Sequence, residues 1–125
     1  MHARGVILFA HGSRDPLWHK PMEAVAAQVK ALDPQAHVAC AYLELTEPDL
    51  PSTARQLVAQ GVQQLTIVPM FLGVGRHARE DLPLLVESMR REHPDIDIQL
   101  QAAVGENPQL VALLAQIALG TAAPL

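Results

Sequence analysis

Four short apolar runs alternate along this chain with four stretches whose apolar residues recur at helical spacing. No other feature restricts the fold as much. Gly5-Val6-Ile7-Leu8-Phe9-Ala10 and Gln64-Leu65-Thr66-Ile67-Val68-Pro69-Met70-Phe71 read as strands. The first is continuously apolar, as a strand buried on both faces of a parallel sheet is. His37 to Leu43 and Ile96 to Gln101 are shorter strand-like segments. Between them lie helical stripes: Met22, Val25, Ala26, Val29 and Leu32; then Leu50, Ala54, Leu57 and Val58; then Leu82, Leu85, Val86 and Met89; and last Leu110, Val111, Leu114 and Ile117. Repeated βα units require right-handed crossovers, hence a parallel sheet with helices on both faces. The expected fold is α/β: a doubly wound three-layer domain with a four-stranded parallel sheet and flavodoxin-like topology, one domain over residues 1–125.

Punctuation residues set the expected boundaries. Asp33-Pro34 ends the first helix, which begins near Trp18. Thr46 and Asp49 resemble a capping box, with Pro48 suited to a first turn. The second helix stops near Gly61. Glu80-Asp81-Leu82-Pro83 places acids and a proline at the start of the third. Asn107-Pro108 caps the fourth, which ends near Gly120, and Thr121 to Leu125 form a loose end.

Composition removes several function classes. A chain of 125 residues can bury a core, and with 3% aromatics that core is aliphatic. The net charge of −4 argues against nucleic acid as a partner, which needs a basic face. There is no apolar stretch of membrane-spanning length and no signal-peptide pattern, so the expectation is a cytoplasmic protein without a membrane partner. The single cysteine, Cys40, excludes an internal disulfide, a cysteine-cluster zinc site and a self-contained iron–sulfur site.

The chemistry-bearing residues sit where strands end. His11 follows the first run directly and leads into Gly12-Ser13-Arg14-Asp15-Pro16. Glu44 follows the second strand. His77 closes the loop Leu72-Gly73-Val74-Gly75-Arg76-His77 after the third. Open parallel sheets bind ligands outside the carboxyl ends of their strands. Two imidazoles and a carboxylate there make a nitrogen/oxygen donor set suited to a divalent transition metal or to proton transfer. Gly12, Gly73 and Gly75 permit close backbone approach to a ligand. Arg14, Lys20, Arg76 and Arg79 lie near the two histidines, and Arg76 and Arg79 have the wrong sign for a helix start, which hints at an anionic partner.

Each residue also has a plainer reading. A lone histidine after a strand is commonly a hydrogen-bonded turn residue, and Glu44 alone would be a surface acid. Only their joint placement lifts the three. His2, His19, His37 and His93 lack such company and read as surface or structural, and Cys40 as a small buried apolar residue. Phe71, Leu72 and Val74 read equally as core, as the floor of a flat apolar ligand, or as a subunit contact.

Three segments carry a resemblance: Ala10-His11-Gly12-Ser13-Arg14-Asp15-Pro16, Tyr42-Leu43-Glu44-Leu45-Thr46-Glu47-Pro48, and the long stretch from Pro69 through Gly73-Val74-Gly75-Arg76-His77 to Pro83. Together they resemble the signatures of the small sirohydrochlorin chelatases of the CbiX type, class II chelatases that need no nucleotide. The resemblance implies a chelatase-like doubly wound fold and a homodimer. It implies insertion of a divalent metal into sirohydrochlorin, a tetrapyrrole with eight carboxylates. Cobalt stands ahead of iron and nickel as the metal, which is a substrate, and no organic cofactor is implied. It matches His11 and His77 to active-site histidines and Glu44 to their acidic partner, as metal ligands or proton acceptors. Arg14, Arg76, Arg79, Gly73 and Gly75 then face the substrate. Two other readings compete. A phosphohistidine enzyme would want an arginine just before His11, where this chain has Ala10. A metal or tetrapyrrole carrier would use the same histidines without turnover.

Overall fold

A computed structural model describes residues 3–121. The expectations for His2 and for residues 122–125 lie outside that range. Among the described residues the chain forms β1 (Arg4–Ala10), α1 (Lys20–Leu32), β2 (His37–Tyr42), α2 (Leu50–Ala59), β3 (Gln64–Pro69), α3 (Arg76–Glu92), β4 (Asp97–Leu100) and α4 (Pro108–Leu119). Short 3-10 turns lie at Pro16–His19 and Val104–Glu106. All pairings are parallel and the strand order is β2-β1-β3-β4. This is the doubly wound arrangement the alternation of runs and stripes predicts. The order reverses at β1, so the crevice between the β1 and β3 exits is the topological switch point.

The continuous apolar run of β1 is explained by its position. It pairs with β2 along one edge and β3 along the other, Gly5 lying opposite both His37 and Leu65. Successive side chains point to opposite faces. Ile7 and Phe9 enter a core with Leu65, Ile67 and Ile98, covered by Leu50, Ala54 and Leu57 of α2 and Leu82, Val86 and Met89 of α3. Leu8 and Ala10 point the other way, to Met22 of α1 and Tyr42. That second core is thinner. Val6, Val38, Cys40, Val68 and Met70 are only partly buried in it, because α1 alone covers a face whose opposite carries two helices.

Two boundaries and one helix face differ from the sequence expectation. Asp49, not Thr46, caps α2, accepting from Ser52 N at 2.9 Å, and Pro51 rather than Pro48 occupies its first turn. Helix α3 begins at Arg76, four residues before Glu80, so Pro83 lies inside it. Proline there leaves the Arg79 carbonyl without its helical donor, and Arg79 is exposed enough for water to take that place. The stripe of α4 is not a core face: no residue of that helix is buried and only Leu110 is half-buried.

Ser52 donates to the Asp49 carboxylate from its hydroxyl and its backbone N–H, which holds the Asp49 pKa below the ordinary range. Asp49→Ala should lower stability by about 1 kcal/mol near neutral pH. Because the folded pKa is depressed, the contribution is complete above the ordinary carboxyl value and fades as pH falls through the folded value. Urea unfolding of both proteins should therefore show their difference closing in acid, whereas Asp49→Asn keeps the cap at every pH.

Candidate active site

The ladder between β1 and β2 continues past both strands. Leu43 N donates to Ala10 O and Glu44 N to His11 O, each at 2.9 Å. Glu44 is thereby fixed beside His11 at the sheet edge. Gly12 makes this approach possible. Its φ is +103°, and a Cβ there would overlap the Glu44 carbonyl oxygen. Leu45, next to Glu44, holds a φ of +68°, a conformation that side chains with Cβ rarely adopt and that clusters at functional sites.

On the other side of β1, Met70 N donates to Phe9 O at 2.7 Å, which carries Phe71 to the same edge. The His11 ring lies on the buried Phe71 ring, with centroids 4.4 Å apart and planes at 32°. Phe71 in turn meets Phe9 edge-on at 5.9 Å. One face of the His11 imidazole is therefore packed while the residue stays exposed to solvent.

The loop after His11 is braced by a residue that sequence reasoning set aside. His19 Nε2 lies 2.9 Å from Ser13 O. A carbonyl only accepts, so Nε2 carries the proton. Asp15 accepts from Leu17 N at 2.9 Å, and its own N–H reaches Ser13 Oγ at 3.0 Å. Edge-on contacts of His19 with Trp18 (5.4 Å) and Tyr42 (5.0 Å) steady the ring. Burial, and then Cys40, push the Tyr42 phenol up to about 12. Burial also raises the Cys40 thiol. Both stay neutral near pH 7, so Cys40 behaves as a small apolar residue, though it is only half-buried where burial is expected.

His77 stands in the first turn of α3, not in a loop, because the helix starts early. It lines a cavity of about 290 Å³ with Phe9, Leu43, Asp81, Leu82 and Leu85. Asp81 is four residues on, hence on the same helical face. Sequence reading missed it because it placed the helix start at Glu80. The cavity reaches back to Leu43 and Phe9, which neighbour Glu44 and Phe71. His77 thus belongs to the same edge as His11 and Glu44. Among the described residues, no three His, Cys, Asp or Glu side chains converge closely enough to cage one ion. The three expected donors share an edge, not a closed coordination sphere.

The arginines divide. Arg76 pairs with Glu80 at 3.1 Å, an exposed pair worth at most about 1 kcal/mol. Arg14 and Arg79 are exposed and have no side-chain partner among the described residues. Helix α3 has no acid in its first turn and no side-chain cap at Gly75. Its free N–H groups and these arginines favour an anion at the same edge. Gly73 and Gly75 take no left-handed φ, and a Cβ at either would meet nothing within 4 Å. Leu43, Leu45 and Leu72 are exposed here.

A doubly wound α/β domain that presents two imidazoles, a carboxylate and free arginines around its switch point defines the class: a small α/β protein with a nitrogen/oxygen donor edge and an anion-favouring rim. The CbiX family pattern matches residues 5–119, and the chain belongs to that family. The crystal structure of a CbiX protein from Marinobacter aquaeolei VT8 superimposes with a TM-score of 0.79 at 36% identity, covering 94% of this chain and 95% of that one. A sirohydrochlorin cobaltochelatase of Methanococcus aeolicus is 32% identical over 81 residues, 65% of this chain and 57% of the relative. The chloroplastic sirohydrochlorin ferrochelatase of Arabidopsis thaliana is 29% identical over 109 residues, 87% of this chain and 48% of the relative. The chain thus spans about half the length of these two curated relatives.

Two glycine substitutions separate architecture from open space. Gly12→Ala should cost at least about 2 kcal/mol, from the left-handed φ and the overlap with Glu44, and should speed amide exchange at Glu44, whose N–H donates to His11 O. Gly73→Ala should change stability by less than about 0.5 kcal/mol. Equal thermal-unfolding midpoints for Gly12→Ala and the parent would contradict the role given to Gly12.

Proposed function

We propose that this chain, as one chelatase-like domain over residues 1–125, inserts a divalent metal into sirohydrochlorin without a nucleotide, with cobalt first among the metals and iron and nickel as alternatives. The observation that carries this reading is the backbone link that fixes Glu44 beside His11 at the switch point, with His77 on the adjoining cavity. Family membership and the names of the relatives support it: one inserts cobalt by name and another iron.

Insertion makes three demands. Two pyrrole N–H protons must leave, the hydrated metal must shed water in stages, and the macrocycle must be held over the metal. His11 and His77 supply imidazole nitrogens that either ligate the incoming ion or take a proton. Glu44, held beside His11 by the backbone, supplies a carboxylate that can share either role. An open set of donors fits this work, since an ion that is a substrate must also leave. The exposed Leu43, Leu45 and Leu72 offer apolar surface to a flat ring. Arg14, Arg76 and Arg79 offer bidentate partners to its carboxylates, and Gly73 and Gly75 leave room above the edge. A polyanionic substrate is thus compatible with a chain of net charge −4. By the same reading the working unit is a pair of copies.

The reading is tested by mixing the purified chain, without oxygen, with sirohydrochlorin and Co²⁺, Fe²⁺ or Ni²⁺ and following macrocycle absorbance. Insertion should exceed the blank and fall at least about 100-fold in a His11→Ala/His77→Ala variant, the scale of lost acid–base catalysis. No rate above blank with any metal would sink the proposal; binding of metal or macrocycle without turnover would favour a carrier. Protons compete with metal for imidazole, so the rate should be lower in acid than at neutral pH, and an unchanged rate in acid would count against the histidines as metal ligands.

A further inference from the structure

His11 lacks the support that a metal-meeting imidazole ordinarily has. Such a ring usually donates its second N–H to a carboxylate or a backbone carbonyl, which fixes its tautomer and its plane. Among the described residues neither ring nitrogen of His11 has a hydrogen bond or an ion pair; the histidines that do are His19, His37 and His93. The terminal torsion of a free histidine is loosely restrained, whereas a working group must be held to within about 10–20°. A contact other than a hydrogen bond has to set this ring.

That contact is Phe71. Its ring covers one face of the imidazole, with centroids 4.4 Å apart and planes at 32°. Phe71 is only 3% exposed and meets Phe9 edge-on. A ring so nearly buried does not also floor a flat ligand or meet another subunit; of the three readings its sequence position allows, the fold realises the core.

Phe71 is held in turn by backbone on both sides. On the β1 side Met70 N donates to Phe9 O at 2.7 Å, and on the β4 side Gly105 N donates to Phe71 O at 3.0 Å. Gly105 stands in the short turn Val104–Glu106 that follows β4. A Cβ there would overlap the Leu72 carbonyl, so glycine is what brings this turn onto the Phe71-Leu72 backbone. Glu106 N to Ala103 O at 2.9 Å and Asn107 N to Val104 O at 3.0 Å close the turn. The proposed chemistry uses no side chain from the β4 exit. That exit supplies a brace instead.

We propose that Phe71 is the positioning residue of His11, setting the plane of its imidazole, and that Gly105 holds Phe71 for that task. Phe71 touches neither metal nor macrocycle and acts through His11. Without the stack the imidazole turns freely, and each event at its nitrogens waits for the right orientation. The inference rests on His11 meeting the metal, as proposed above, and not on turnover.

The test compares the parent with Phe71→Leu, Gly105→Ala and Val62→Ala. Val62 is buried beside Gly5 at the amino end of β1, so its truncation loosens the core away from the edge. Without metal, the ring current of Phe71 should shift the His11 ring protons upfield in the parent, and both Phe71→Leu and Gly105→Ala should return them toward the free-imidazole position. Co²⁺ affinity, read anaerobically from broadening of the His11 signals, should fall about 10-fold in both variants, the scale on which loss of an outer partner weakens a metal ligand. Val62→Ala should match the parent in both readings. Parent-like affinity in Phe71→Leu would overturn the inference and leave the proposed function standing. An equal loss in Val62→Ala would overturn it as well, because destabilisation alone would then explain the effect. Effects confined to Phe71→Leu would overturn the role given to Gly105 and uphold that of Phe71. Co²⁺ that never meets His11 in the parent would overturn the inference and the proposed function together. Phe71→Leu keeps an apolar side chain in the core and decides the role of Phe71 even where Gly105→Ala does not fold.

Discussion

Strand β1 is bonded to β2 on one side and to β3 on the other, and its side chains alternate between two cores. Most of the architecture depends on this two-sided burial. It requires a strand without charge in its interior, crossovers to both faces, and hence a reversal of strand order beside β1. The carboxyl end of β1 then becomes the floor of a crevice, and the first residue past it, His11, is delivered there with Phe71 beneath its ring.

From that point the site is a matter of backbone extension. The parallel ladder runs on through Leu43 and Glu44 on one side and Met70 on the other. Exit loops are thereby held by the same kind of backbone hydrogen bond as the strands, and Gly12 is the residue that lets two of them meet. Binding groups on a rigid frame need little reorganisation when charge moves. The donor edge stays open while its supports, His19 to Ser13 and Asp15 to Leu17, are satisfied within the protein. That division suits the proposed chemistry, in which a metal and a macrocycle would each come and go.

The frame was legible in the sequence because it derives from periodicity. A continuous apolar run marks β1 and a mostly apolar one β3, and Asn107 and Gly120 mark the ends of α4. Boundaries controlled by competing local chemistry were less legible. Pro83 reads as a helix start, yet the exposed segment from Arg76 tolerates a missing hydrogen bond, so α3 begins early and carries His77 and Asp81 on one face. Thr46 and Asp49 both offer a capping oxygen, and only the fold decides between them. The role of His19 depends on a carbonyl six residues earlier, which has no side-chain signature. The stripe of α4 reads as a core face by periodicity, yet no residue of that helix is buried, because apolar spacing alone does not say whether a face meets the core.

By the proposed function, His11 and His77, alone among the described histidines, meet the metal. Imidazole nuclear magnetic resonance signals recorded during anaerobic Co²⁺ titration of the ¹⁵N-labelled chain test it most directly, since a paramagnetic ion broadens the nuclei it approaches. Broadening should affect His11 and His77 first, with His19, His37 and His93 retained. Broadening that begins at His37 or His93, or leaves His11 and His77 sharp, would contradict it.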